Sequence, residues 1–164
     1  MKNIDFKIIE KTPSNKKDVM EFLHAFPKHF VHGLFEEYAN KDFDESDTMV
    51  AYYKGEIVGC LMFNNATKEF NWLATKKDTD FKRRDVAKLL FENFYKTIDK
   101  GEKVHLFVNT DDAYIPNMPD FSGKNFESAR RFYESMGLEI KEENRVENKF
   151  GLGAHAYKVE WIVK

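Results

Sequence analysis

Between Lys68 and Val108 the hydrophobic pattern changes period twice, and this limits the chain to a sheet with a helix laid against it. "KEFNWLAT" alternates, with Phe70, Trp72 and Ala74 on one side and Asn71, Leu73 and Thr75 on the other, the period of a strand. In the next stretch Val86, Leu89, Leu90, Phe94 and Ile98 recur at helical spacing, and Gly101 follows as a C-terminal stop. "KVHLFV" then returns to a strand.

The flanking sequence extends this architecture. Residues 3–10 read as a first strand, because Ile4, Phe6 and Ile8 alternate with polar neighbours. Ser14 or Asn15 is available to cap a helix over 15–25, where Val19, Met20, Leu23 and Phe26 share a face. Pro27 breaks it, and a second helix is predicted over 28–40. "TMVAYYKGEIVGCLMF" reads as a hairpin turning at Lys54-Gly55. A long irregular stretch, 109–124, precedes a short helix lined by Phe126, Ala129, Tyr133 and Met136 and ended by Gly137. Two strands close the chain, the last with Tyr157, Val159, Trp161 and Val163 alternating. The predicted order is β-α-α-β-β-β-α-β-α-β-β. This is an α/β fold with a mixed, mostly antiparallel seven-stranded sheet and helices on both faces, in a single domain over 1–164.

Charge is unevenly placed along this frame. The net charge of −2 supplies no bulk attraction for nucleic acid or anionic lipid, so neither is expected as a partner. Residues 76–88 nevertheless hold six cations (Lys76, Lys77, Lys82, Arg83, Arg84, Lys88) against Asp78, Asp80 and Asp85. Cations in a first helical turn oppose the helix dipole, so an anion at that corner would explain them. The alternative is a solvated basic face. The unpaired amides of a helix start suit phosphate oxygens, yet neither G-x-x-x-x-G-K-[ST] nor G-x-G-x-x-G occurs. The single Cys60 sits in an apolar run and precludes an internal disulfide. With no secretory segment and no bilayer-spanning stretch, a cytoplasmic protein is expected.

Three segments in order carry a family resemblance: "YYKGEIVGCLMF", Lys82-Arg83-Arg84-Asp85-Val86-Ala87 and "SARRFYESMGL". They resemble, respectively, the second and third strands, the pyrophosphate motif Q/R-x-x-G-x-G/A and the A-x-x-F-Y-E-x-x-G-F/L helix of the GNAT superfamily of N-acetyltransferases. Ala129, Phe132, Tyr133, Glu134 and Gly137 fall in register with the last motif, while Lys82 and Asp85 depart from the second. The resemblance implies acetyl-coenzyme A as co-substrate, and no metal is expected. Amides from Arg83 to Ala87 would hold the pyrophosphate, with Lys82 and Lys88 nearby. Leu73, Ala74 and Thr75 would pair by backbone with the pantetheine arm where the fourth and fifth strands splay. Tyr133 matches the tyrosine that protonates the departing sulfur. Asn125 corresponds to a cofactor-binding asparagine, although it lies eight residues before Tyr133 and Phe126 takes the expected place.

The remaining polar residues are open. Asp85 is expected to point away from the diphosphate as a first-turn acid. Glu69, Asp111 and Asp112 are candidate general bases, and each is also readable as an ordinary surface acid. His29 and His32 are too few for a metal site, and His105 and His155 read as structural. Residues 36–47 carry Glu36, Glu37, Asp42, Asp44, Glu45 and Asp47 against Lys41. Such a rim would draw a small cationic amine (a polyamine, an aminoglycoside or a lysine-bearing peptide), unless it is only a solubilising helix end. The 109–124 stretch is a candidate substrate wall or lid, and the last strand a candidate homodimer edge. Two other readings stand beside the enzyme: a catalytically idle coenzyme A-binding sensor, and a basic-patch interaction domain.

Overall fold

A computed structural model describes residues 3–25, 32–114 and 126–164. The elements run β1 (Asp5–Ile8), α1 (Pro13–His24), α2 (His32–Glu45), β2 (Asp47–Tyr53), β3 (Glu56–Asn64), β4 (Glu69–Thr75), α3 (Arg83–Tyr95), β5 (Lys103–Asn109), α4 (Phe126–Ser135), β6 (Arg145–Val146) and β7 (Ala156–Ile162). The seven strands form one sheet in the order β1-β2-β3-β4-β5-β7-β6. Every neighbouring pair is antiparallel except β4 with β5. The predicted element order and sheet are those observed.

Two cores lie on opposite faces of this sheet. Phe63, Phe70, Leu90, Phe91, Phe94, Leu106 and Val159 pack on the α3 side, whereas Val19, Leu23, Phe43, Val50, Met62 and Ala74 pack on the α1–α2 side. Rings dominate the first: Phe70 touches Phe63, Phe91, Phe94 and Trp161 at centroid separations of 4.6–5.8 Å. Gly59 lets α3 come down onto β3, since a Cβ there would stand 3.0 Å from Leu90 Cδ1 and 3.1 Å from Val86 Cγ1.

Several boundaries differ from the predicted ones for local reasons. Thr12, not Ser14 or Asn15, caps α1: its hydroxyl accepts the Asn15 N–H at 3.1 Å, and Pro13 takes the first helical position. α2 continues to Glu45, so the acidic stretch is mostly helix. α3 stops at Tyr95, well before Gly101, because the Thr97 hydroxyl and N–H both turn back to the Phe94 carbonyl. Ile98 therefore packs on the core from outside the helix. Phe26 and Pro27 lie outside the described residues. The hairpin turn is at Lys54-Gly55 as expected, with φ of 51° and 78°. Among the described residues no helix is long and apolar enough to cross a membrane.

Candidate functional site

The parallel β4–β5 ladder has two rungs, Glu69 with His105 and Phe70 with Leu106. The next residue, Asn71, is a bulge: Phe63 pairs with Phe70 and Met62 with Trp72, leaving Asn71 extra. The inserted residue reverses the facing of the strand beyond it. Phe70 and Leu73 thus pack on the α3 side while Trp72 and Ala74 pack on the other, correcting the simple alternation predicted for this strand.

From Asn71 onward the β5-side edge of β4 has no strand partner among the described residues. Lys76 donates its N–H to Val58 on β3. By strand alternation the polar groups of Ala74 face β3 as well, and those of Leu73 and Thr75 face the gap. Two of the three predicted pantetheine partners, Leu73 and Thr75, therefore offer backbone groups there, and Ala74 does not.

The start of α3 borders the same gap. Lys82 is the cap residue, without a side-chain capping bond. Its carbonyl already accepts the N–H groups of Asp85 (3.1 Å) and Val86 (3.3 Å). The N–H groups left without an acceptor among the described residues are those of Arg83 and Arg84, a shorter cradle than the predicted Arg83–Ala87. Val86 and Ala87 are buried and contribute packing. Lys82, Arg83, Arg84, Asp85 and Lys88 are exposed. Asp85 makes no ion pair among the described residues. Arg83 Nε donates to the Thr75 carbonyl at 3.1 Å, tying helix start to strand edge. The intervening loop is fastened by Tyr53, whose hydroxyl donates to Asp80 at 2.6 Å and whose ring meets Phe81 edge-on at 5.4 Å. A free strand edge that leads to open amides among cations fits an anionic ligand with an amide-bearing arm.

Tyr133 stands on α4 on the α3 side of the sheet. Its ring is edge-on to Phe91, centroids 6.3 Å apart, and adjoins Phe132. Its hydroxyl makes no hydrogen bond among the described residues. Burial, and secondarily Tyr95, pushes its pKa well above the ordinary tyrosine value, so the hydroxyl is a neutral proton donor at physiological pH. Gly137, at φ 85°, closes the helix, with Leu138 N–H returning to the Tyr133 carbonyl. Asn125 lies outside the described residues, as do 115–124 of the candidate lid. Of that stretch, Tyr114 bridges to Gly153 through its N–H at 2.8 Å.

The candidate bases part company. Asp112 is gripped by Arg145 through two bonds, 3.0 and 2.8 Å. Together with the Thr110 hydroxyl, that grip holds its carboxyl far below the usual range, making it a poor proton acceptor. Asp111 is exposed. Glu69 is half-buried, and its Oε1 lies 3.4 Å from His105 Nε2. Within the acidic stretch, Asp44 pairs with Lys16 at 3.0 Å, and Asp42 accepts the Trp72 indole N–H at 2.7 Å. Burial raises the Asp42 pKa. His29 lies outside the described residues, and among those described no cluster of three His, Cys, Asp or Glu could hold a metal ion. Sequence reasoning brought neither His105 nor Asn71 to the face that carries Glu69, because their places depend on cross-strand register and a bulge.

No family model matches the chain, and no curated protein matches it. Solved structures do. An aminoglycoside 6'-N-acetyltransferase complexed with coenzyme A superposes at TM-score 0.64 with 12% identity, covering 98% of this chain and 97% of its own. A GNAT-family acetyltransferase from Streptococcus pneumoniae gives 0.60 and 13%, over 98% and 100%. The ribosomal-protein-S18-alanine N-acetyltransferase from Escherichia coli gives 0.59 and 16%, over 98% and 94%. The fold is the GNAT fold.

Proposed function

We propose that this chain, built on the GNAT fold, is an acetyl-coenzyme A-dependent N-acetyltransferase acting on a primary amine by direct attack in a ternary complex. One observation carries the reading: the β4 edge that has no strand partner among the described residues runs into the open amides of α3, and Arg83 Nε–Thr75 O joins the two. Bound there, acetyl-coenzyme A supplies an acetyl group activated as a thioester. The backbone of Leu73 and Thr75 orients the arm in strand fashion. The Arg83 and Arg84 amides, with Lys82 and Lys88, hold the diphosphate. Tyr133, neutral and without a hydrogen-bond partner among the described residues, gives its proton to the departing thiolate sulfur. The acceptor is a small cationic amine (a polyamine, an aminoglycoside or a lysine or peptide amine), drawn by the acids of α2 and by Glu69. The activities of two structural neighbours, on an aminoglycoside and on a protein alanine, support amine acetylation. A cytoplasmic setting accords with the one buried, free Cys60.

A specific observation favours a second reading. Asp85, unpaired among the described residues, stands in the turn that would face a diphosphate, a departure that suits a non-catalytic coenzyme A sensor. The two readings share a first experiment. Coenzyme A at a hundred times its dissociation constant should stabilise the fold by about 2.7 kcal/mol, a melting-temperature rise of roughly 5–10 °C. No rise removes both. Free-thiol release from acetyl-coenzyme A across a panel of amines then separates them, since the sensor releases none.

A further inference from the structure

The β4–β5 gap is where a group held on the α3 side of the sheet can meet one held on the other side, and its vertex is lined by an unusual set of polar groups. His105 lies between Val104 and Leu106, both buried in the α3 core, so its ring projects from the opposite face. Glu69 projects from that face too, because Phe70 faces α3. The two side chains are 15% and 24% exposed, with Nε2 and Oε1 3.4 Å apart. Phe107 stands edge-on to the His105 ring at 5.6 Å. Nearby charges are already engaged: Glu160, opposite His105 on β7, lies 3.7 Å from both Lys103 and Lys158, and Lys68 lies 3.6 Å from Glu102. Among the described residues, His105 is thus the one basic side chain paired with Glu69, and the pair is ionic only when the ring is protonated.

Asn71 belongs to the same face. Its Nδ2 donates to Ser46 Oγ at 3.2 Å, while its Oδ1 is buried and accepts nothing among the described residues. A buried acceptor without a donor is costly, and an incoming N–H would satisfy it.

We infer that Glu69, Asn71 and His105 form the seat of the acceptor amine, with His105 as the positioning residue that fits Glu69 to accept the amine's proton. This rests on the acetyl-transfer reading. Asn71 Oδ1 accepts one N–H and the Glu69 carboxylate another. One proton then moves from the ammonium nitrogen to a Glu69 oxygen, leaving a neutral amine and a carboxylic acid. The acid passes that proton to His105 Nε2, restoring the carboxylate beside an imidazolium, and the imidazolium returns it to water. The electron pair freed on nitrogen is the one that attacks.

The test uses the full chain with spermidine as the probe amine. Without coenzyme A, the NMR signals of the His105 ring and the Asn71 side-chain amide are followed. Spermidine is expected to shift both, and Asn71→Ala to abolish the His105 response. Glu69→Gln should weaken the spermidine response about tenfold in apparent affinity, through loss of a charged acceptor. Unmoved signals, or an undiminished spermidine response in Glu69→Gln, overturn the inference. In the second arm, His105→Asn should displace the acidic limb of the rate–pH profile for thiol release while leaving the coenzyme A-induced rise in melting temperature intact. An undisplaced limb also overturns it. If coenzyme A gives the wild type no rise but spermidine still moves both signals, the acetyl-transfer reading fails and the amine seat stands.

Discussion

Arg83 on α3 and Thr75 on β4 are joined by a single hydrogen bond, guanidinium Nε to carbonyl oxygen, 3.1 Å across the mouth of the β4–β5 gap. The bond orients a cation toward the place where a diphosphate would rest, and it fixes the helix start relative to the strand edge. Arg83→Met keeps the aliphatic stem and removes both effects. Affinity for coenzyme A is expected to fall about tenfold, the low end for a bond from a charged donor because the guanidinium is exposed and screened. Calorimetric titration reads this directly, and an unchanged affinity would show the contact to be incidental.

Gly59 tests whether the approach of α3 to the sheet matters. Its Cβ would stand 3.0 Å from Leu90 Cδ1 and 3.1 Å from Val86 Cγ1, both on buried side chains. Gly59→Val should therefore destabilise by about 1–3 kcal/mol through overpacking, with Gly59→Ala intermediate, as read from urea midpoints. Because the helix is lifted at its first turns, coenzyme A affinity should fall along with stability. A stable Gly59→Val protein would mean that the helix can shift freely.

Much of this architecture was legible because it is written in local periods. The alternation of β7, the helical stripe of α3 and the Lys54-Gly55 turn each depend on residues close in sequence. Thr12-Pro13 is also legible in principle, as a capping hydroxyl followed by proline at the first helical position, although Ser14 and Asn15 offer capping side chains beside it. The vertex was not. Asn71 reverses the facing of Trp72 and Leu73 without interrupting the apolar pattern, and nothing near Glu69 in sequence announces that His105 will stand beside it. Register between parallel strands is set by the crossover helix and the two cores, which no window of the sequence contains. Likewise the last turn of α3 is decided by Thr97 and Phe94, while the glycine that marks helix ends elsewhere sits in the next turn.

Asp85 is expected to be a small handicap. A carboxylate about 6 Å from one phosphate charge would cost roughly 3 kcal/mol at an effective dielectric near 20. Exposed and unpaired among the described residues, Asp85 is free to turn outward and lose most of that repulsion to solvent. Asp85→Gly should raise coenzyme A affinity by less than about tenfold, partly offset by the helix destabilisation that glycine brings. A gain above a hundredfold would mean that the carboxylate blocks the corner, and would favour a degenerate site.

The tyrosines beside the α3 core give a pH signature. Burial pushes the Tyr95 hydroxyl up to about 12 from an ordinary 10, although the Trp161 side chain hydrogen-bonded to it pulls the other way. An unfolded chain would release this proton near pH 10, while the folded chain keeps it until about 12. The stability that the neutral hydroxyl contributes is therefore complete below pH 10 and lost as the pH rises toward 12. Tyr133 shifts in the same direction. Denaturation midpoints should be flat below pH 10 and fall above it, and Tyr95→Phe should flatten that fall. An alkaline slope equal in wild type and variant would place the titration elsewhere.

Tyr133→Phe carries the sharpest consequence for mechanism. The hydroxyl has no hydrogen bond among the described residues to lose, and the ring's edge-on contact with Phe91 survives the substitution. Melting temperature and coenzyme A affinity should accordingly change little. A group that protonates the leaving sulfur typically contributes a factor of about 10²–10⁴, so thiol release in the presence of an amine should fall by at least about a hundredfold, in kcat and not in KM. The raised pKa adds a second check, because a donor that stays neutral past pH 10 should leave the rate–pH profile without a tyrosine limb in the neutral range. If release persists in Tyr133→Phe, the thiolate leaves without help from this residue, and the hydroxyl is only a filler between α3 and α4.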